Sequence, residues 1–397
     1  MKRMLDGNGA AAEALKLARV GVISAYPITP QSPISEILAE FVEKGELKAK
    51  YIRVESEHSA MSAAIGAQFT GVRAATATAS VGLALMHEVV GVASGCRVPI
   101  VMPVVNRALV SPWSLWCDHQ DAMAERDSGW LQFYTESVQE VLDMTIIAYK
   151  VAEDENVLLP AMVCLDGFFL SHSMQRVDVP AQAFVDEFIG AYQNKNLFLS
   201  PEDPMFINDL TSPDDFSEIR YQQKAAFDQT LKVIPRVFKE FYEQTGREYR
   251  IVEPYKCEDA EAVLVTLGSM SGTAKHVTDK LRQEGKKVGV LRIAVFRPFP
   301  AEEIKAALKG KKMIGIFDRS AGLGSKYGPV CNEVMAVIND QEVKTYNFIA
   351  GLGGRDITAE TIEKAFLEML SGQEETEQKW IDTKKNAMEI RQVSTNV

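Results

Sequence analysis

The strongest constraint on the fold is an alternation of short, mostly apolar runs with helix-forming segments, sustained along most of the chain. Residues 20–25 (VGVISA), 51–54 (YIRV), 74–79 (AATATA), 99–105 (PIVMPVV) and 158–165 (LLPAMVCL) read as strands. Residues 8–18, 35–44, 59–69 and 83–94 read as helices, the third of them dense in Ala, Gly and Ser. A strand that is apolar on both faces must be covered on both, and helices between successive strands supply that cover while the strands pair in parallel. The pattern predicts an α/β fold on a parallel sheet.

The texture changes over residues 181–217, where Pro201, Pro204 and Pro213 fall among acids and aromatics. This stretch reads as an irregular arm, followed by an amphipathic helix over 227–243 and a polar hinge at 256–259. A second α/β pattern follows: strands at 262–267, 287–293, 313–318 and 345–350, and helices at 272–284, 301–308 and from about 355 to 370. The 397 residues therefore divide into a first domain with its arm (1–250), a second α/β domain (255–372) and a charged, loosely packed tail (373–397).

With 54 acidic and 43 basic side chains the formal net charge is −11, which leaves no excess of cations to neutralise a nucleic-acid backbone. The most apolar run, residues 157–165, has nine residues and a proline, too short to cross a bilayer. The first residues have two basic side chains but no apolar stretch behind them, unlike a secretory signal. Cys96, Cys117, Cys164, Cys257 and Cys331 are scattered without a CxxC pair, which disfavours disulfides and any iron–sulfur or zinc site, so a reducing cytoplasmic setting is expected.

Several segments can carry chemistry. YPITP (26–30) follows the first strand, where ligands bind in open α/β sheets; two prolines would fix the Thr29 hydroxyl, although the turn can equally be a rigid helix cap. VESEHSA (54–60) sets Glu55, Glu57 and His58 at a strand-to-helix junction. A glutamate there can simply favour the helix N-terminus by about 0.3–1 kcal/mol. If the small-residue helix encloses it, its pKa would rise towards values suited to proton exchange. Arg107 ends a strand, where a guanidinium can grip a carboxylate with two hydrogen bonds or form a surface ion pair. The following loop contains Trp113, Trp116, Cys117 and His119, a composition suited to a lid or interface; the Cys117–His119 spacing is weak evidence for a thiol nucleophile. GSMSG (268–272) looks like a phosphate turn but lacks the full GxGxxG spacing, and Arg292 stands where a dinucleotide site would need an acid.

Taken in order, YPITP, VESEHSA, ATAS–GLALMHE (77–88), NRAL (106–109), DHQD…RD-GW (118–130), LLPAMVCLDGF (158–168), RPFP (297–300) and GLGGRD (351–356) resemble the alpha subunit of a multi-subunit 2-oxoacid:ferredoxin oxidoreductase of the pyruvate type. The resemblance runs from about residue 5 to 370. It implies a thiamine-diphosphate pyrimidine-binding domain followed by a transketolase C-terminal-like domain. It also implies that Thr29 and Arg107 contact the substrate carboxylate, that Glu57 rather than Glu55 hydrogen-bonds the aminopyrimidine, and that Pro27 and Ile28 lie against the cofactor. The chain has no GDG-plus-asparagine element for Mg2+ and diphosphate, and no cysteine set for 4Fe-4S clusters. By resemblance those belong to a beta subunit and a ferredoxin-like delta subunit, joined by a gamma subunit, with coenzyme A and external ferredoxin as reactants. Branched-chain or aromatic 2-oxo acids are alternative substrates, and a silent transketolase-like scaffold is the alternative of another class.

Overall fold

In the computed structural model, which describes residues 1–194, 197–339, 342–372, 376–381, 383–384 and 387–389, the first apolar runs form one parallel surface. Lys50–Arg53, Val22–Ala25 and Ala74–Ala75 pair in parallel, and a bridge between Thr78 and Val104 carries the surface on to Val101–Asn106, Ala161–Asp166 and Leu131–Tyr134. Every residue of Val101–Asn106 and Ala161–Asp166 is buried, as strands covered on both faces require. The helix Gly7–Leu17 begins where Asp6 accepts a 2.7 Å hydrogen bond from the Gly9 amide, and its alanines let it lie close against Val138–Ala152.

The second pattern also becomes a sheet. Thr376–Trp380, Lys344–Ile349, Met313–Asp318, Ala262–Thr266 and Val288–Ile293 run parallel, and Val252–Tyr255 closes the far edge antiparallel. Alternate residues of Ala262–Thr266 enter different cores. Ala262 and Leu264 face Met270–Gln283 and Ala359–Leu370, whereas Val263 and Val265 join the large core shared with the first sheet.

The structure departs from the sequence expectations in several places, among them the arm expected to be irregular over 181–217, which opens with the helix Gln182–Ile189. The helix expected over 83–94 is two, Ser80–Leu85 and His87–Gly95, broken at Met86. The helix expected to begin at 227 begins at Pro213 and runs to Thr245; its first turns mix acids with Phe216, Ile219 and Tyr221, which remain exposed rather than forming a buried stripe. The tail expected to be loosely packed from residue 373 contains Thr376–Trp380, a charged segment of the kind that suits a sheet edge. The remainder of that tail lies mostly outside the described residues. Finally, the short strand Val295–Arg297 leaves the second sheet's surroundings and pairs antiparallel with Leu131–Tyr134, completing the edge of the first sheet. Among the described residues no helix is long and apolar enough to cross a membrane.

Candidate active site at the strand ends of the first sheet

Lys50–Arg53 delivers the chain to Ser56, whose hydroxyl caps the helix Glu57–Phe69 by accepting from the Ser59 amide at 3.2 Å. That cap separates the two glutamates. Glu55 is exposed and accepts a short hydrogen bond from the Ser59 hydroxyl, whereas Glu57 is 6% exposed. Loss of hydration raises the Glu57 carboxyl above its ordinary pKa, offset in part by its own backbone amide. The short helix Ser80–Leu85 lies over it with Gly82 inward. A Cβ on Gly82 would come within 2.5 Å of Glu57 Oε1 and 2.7 Å of Thr78 Oγ1, so only glycine lets the helix pack this close to the carboxyl. The Thr78 hydroxyl is fully buried and has no hydrogen-bond partner among the described residues.

Arg107 follows the strand Val101–Asn106 and is 3% exposed. Its guanidinium donates to the Thr29 carbonyl (Nη1, 2.8 Å) and the Ser114 carbonyl (Nε, 3.0 Å). Among the described residues no carboxylate forms an ion pair with it, and desolvation lowers its pKa. A shielded cation held only by carbonyls retains its attraction for an anion. The YPITP turn is fixed from behind: Asn8 Nδ2 donates to the Pro30 carbonyl at 3.0 Å, and buried Gln31 donates to Ser35 Oγ at 2.7 Å. Pro27 and Thr29 are exposed at its tip, and Ile28 is half-buried. Thr29 and Arg107 are thus brought together directly, through the Thr29 carbonyl rather than its hydroxyl.

The residue that joins this arginine to the helix over Glu57 is Asp121, which is 1% exposed. Its Oδ2 accepts from the amides of Ser80 (2.9 Å) and Arg107 (3.0 Å), and its Oδ1 from Asn106 Nδ2 (2.8 Å) and the Ala122 amide (2.8 Å). Burial pushes its pKa up to about 6 against those four donors. Ser80 has φ +49°, a left-handed conformation that costs a non-glycine residue about 1–3 kcal/mol and persists only where neighbours enforce it. Enforcement comes from Asp121 and from the Ala108 carbonyl, which accepts from Ser80 Oγ at 2.5 Å. Sequence reasoning missed Asp121 and Ser80, whose partners lie 41 and 28 positions away.

The other candidates have different duties. The GSMSG turn holds a carboxylate of the protein itself: Asp166, ending Ala161–Asp166, accepts from the Ser269 amide (3.1 Å) and hydroxyl, from Arg319 Nη1 (2.9 Å) and from His119 Nε2 (2.7 Å). Gly268, at φ +67°, would set a Cβ 3.0 Å from Asp166 Oδ1, so the turn fits around that side chain. These partners hold Asp166 well below the usual carboxylate range. Arg292 is equally buried, bonded to Glu140 (2.9 and 2.5 Å), to Glu253 (2.9 Å) and to the Tyr134 carbonyl (3.0 Å). Both clusters join the first half of the chain to the second. Cys117 is fully buried and its thiol is pushed up by that burial, while His119 turns to Asp166, so the pair does not form an activated nucleophile. The GLGG turn receives the tryptophan loop, Gly354 donating to the Cys117 carbonyl at 2.6 Å, while Trp113 and Trp116 remain 76% and 55% exposed.

A thiamine aminopyrimidine needs a protonatable carboxyl in a space its ring can enter. Glu57 supplies the carboxyl, and Gly82 and the Thr78 hydroxyl, which has no hydrogen-bond partner among the described residues, lie directly against it. Residues 13–239 match the family model for the thiamine diphosphate-binding part of pyruvate flavodoxin/ferredoxin oxidoreductases, and 260–362 match core domain II of pyruvate:ferredoxin oxidoreductase. The pyruvate synthase subunit PorA of Methanothermobacter thermautotrophicus is 52% identical over 362 residues, covering 91% of this chain and 94% of the relative. The ketoisovalerate oxidoreductase subunit VorA of Pyrococcus horikoshii is 43% identical, covering 97% and 99%. Among solved structures, a 2-oxoglutarate:ferredoxin oxidoreductase from Magnetococcus marinus aligns with TM-score 0.74 at 20% identity over 93% of this chain; the chain spans 65% of that one. A split-gene transketolase aligns with TM-score 0.56 at 13% identity over 92% of this chain and 98% of its own, and both likenesses are likenesses of fold. The chain belongs to the pyruvate flavodoxin/ferredoxin oxidoreductase family, as the subunit that carries its thiamine diphosphate-binding domain.

Proposed function

We propose that this chain contributes the substrate-anchoring half of an active site that oxidatively decarboxylates pyruvate with coenzyme A to an acyl-CoA and CO2, passing electrons to ferredoxin. The observation that carries the reading is Arg107: a shielded guanidinium, aimed by two carbonyls and paired with no carboxylate among the described residues. It binds the substrate carboxylate, and the Thr29 hydroxyl, at the exposed tip of the same turn, adds a hydrogen bond. Glu57 shares a proton with a ring nitrogen of the aminopyrimidine, a task for which its raised pKa fits it, and Pro27 and Ile28 flank the ring. Thiamine diphosphate, when bound, supplies a thiazolium carbon that adds to the 2-oxo carbon and takes up the electrons released as CO2 leaves.

The remaining parts fall to other chains: a beta subunit for diphosphate and Mg2+, a delta subunit with 4Fe-4S clusters and a gamma subunit, all in a reducing cytoplasm. Support comes from the match, over nearly their whole length, to relatives that are themselves named as subunits. The similarity to a ketoisovalerate oxidoreductase subunit makes branched-chain 2-oxo acids the second reading. The test is purification of the complex and a panel of 2-oxo acids assayed with coenzyme A and an artificial electron acceptor. Pyruvate should give the highest kcat/KM and the isolated chain none. A preference for 2-oxoisovalerate selects the second reading, and oxidation by the isolated chain overturns the shared site.

A further inference from the structure

We infer that Asp121 is a positioning residue that sets the distance and orientation between the substrate-anchoring Arg107 and the helix that roofs Glu57. This role rests on the one proposed for Arg107 and extends it to a residue that touches neither substrate nor cofactor.

Among the described residues Asp121 forms no ion pair, and only the Arg107 guanidinium acts on it at longer range, so its buried charge is balanced chiefly by dipoles. Four donors do this, two on each oxygen, and they come from three places: the first residue of Ser80–Leu85, the end of Val101–Asn106, and the following helix Gln120–Ala124. On Oδ2 the Ser80 and Arg107 amides converge. One of these residues opens the helix that brings Gly82 against Glu57; the other carries the guanidinium that holds the Thr29 carbonyl. Ser80 Oγ closes the ring on the Ala108 carbonyl. One side chain therefore fixes the two ends of the site to each other, and it does so against the left-handed strain at Ser80.

A carboxylate is needed because each oxygen must accept twice. Asparagine offers one accepting oxygen, and its NH2 would face N–H donors on the other side. A misplacement of about 1 Å in a reacting geometry can reduce rate about a hundredfold, so a loosened Oδ2 clamp should be felt in turnover of the 2-oxo acid.

The test uses the assembled complex with four variants of this chain: Asp121→Asn, Asn106→Ala, the exchange Asn106→Asp/Asp121→Asn, and Arg107→Lys as control. For Asp121→Asn the KM for the 2-oxo acid should rise about tenfold and kcat fall, with the KM for coenzyme A unchanged. Hydrogen exchange at the Ser80 and Arg107 amides should quicken in the same variant, a readout independent of turnover. The exchange returns a carboxylate to the cluster, at position 106. It lets the carboxamide at position 121 accept from the Ser80 and Arg107 amides while donating to that carboxylate, with only the Ala122 amide left without its acceptor, and it should recover most of the lost KM. If Asp121→Asn does not assemble, Asn106→Ala removes a single donor, and a KM rise of about threefold supports the inference while an unchanged KM overturns it. Faster exchange at the two amides with KM and kcat unchanged would make Asp121 merely structural and overturn the inference. Should Arg107→Lys leave KM unchanged, the anchoring role itself fails, which separates that failure from one of Asp121.

Discussion

The seam between the two halves of the chain and the site at the strand ends both bury charge, and they treat it in opposite ways. At the seam every ion named above has opposite charges or strong donors around it: Asp166 has Arg319, His119 and Ser269, and Arg292 has Glu140 and Glu253. At the site, among the described residues, the Arg107 guanidinium donates only to carbonyls and forms no ion pair, although Asp121 acts on it at longer range, Glu57 keeps a raised pKa, and the Thr78 hydroxyl has no hydrogen-bond partner. Charge buried against opposite charge docks two parts of a chain, even where Arg292 Nε and Arg319 Nη2 find no hydrogen-bond partner among the described residues, whereas charge buried without an ion pair leaves valency for a ligand.

That contrast is most open to refutation at Glu57. Glu57→Gln, nearly isosteric, should lower kcat in the assembled complex by about 10²–10⁴-fold with little change in unfolding free energy. Turnover near the wild-type rate would remove the proton-sharing role. Next comes Arg292→Met, which leaves Glu140 and Glu253 buried without their cation and should cost about 3–5 kcal/mol in denaturant unfolding. Arg107→Ala should do the reverse, with a KM for the 2-oxo acid raised by about 1.5–3 kcal/mol, or about 10–100-fold, and stability changed by less than about 1 kcal/mol. If Arg107→Ala destabilised as much as Arg292→Met, the distinction between charge buried with and without an ion pair would fail.

The smallest effect concerns pH. Asp318 accepts from the Val330 (2.7 Å) and Cys331 (3.2 Å) amides and from Asn347 Nδ2 (2.8 Å), yet burial pushes its pKa up to about 7. Its folded pKa exceeds its unfolded one, near about 4, so between those values the folded state binds the extra proton. Asp318 therefore makes stability fall as pH rises from about 4 to about 7, with no further change above. Relative to Asp318→Asn, wild-type protein should lose unfolding free energy across that window. Asp166 has the opposite sign: its depressed pKa contributes stability above about pH 4 that disappears as pH falls.

The alternation of apolar runs and helices was enough to indicate two α/β units, because strands buried on both faces leave a plain mark in sequence. Val138–Ala152 leaves none: nearly all its residues are buried, polar ones included, so it has no solvent face to set a helical period. Thr29, Glu57 and Arg107 stand at strand or helix junctions, and their local context is readable from the motifs around them. Asp121 was not readable as a hub, since an acid in a polar loop resembles any solvated acid until Ser80 and Asn106 are seen to converge on it. The same holds for GSMSG, where only the fold reveals that the anion in the turn is Asp166.

The strand Val295–Arg297 has a consequence for how this protein is made. The edge of the first sheet at Leu131–Tyr134 is satisfied by a segment synthesised well over a hundred residues later. During synthesis, therefore, the emerging first half exposes unpaired backbone groups along Leu131–Tyr134, an adhesive edge that other chains can join. A chain cut at the hinge near residue 256 would carry that vulnerability permanently. The later half thus acts as the intramolecular guard of the earlier one's sheet edge.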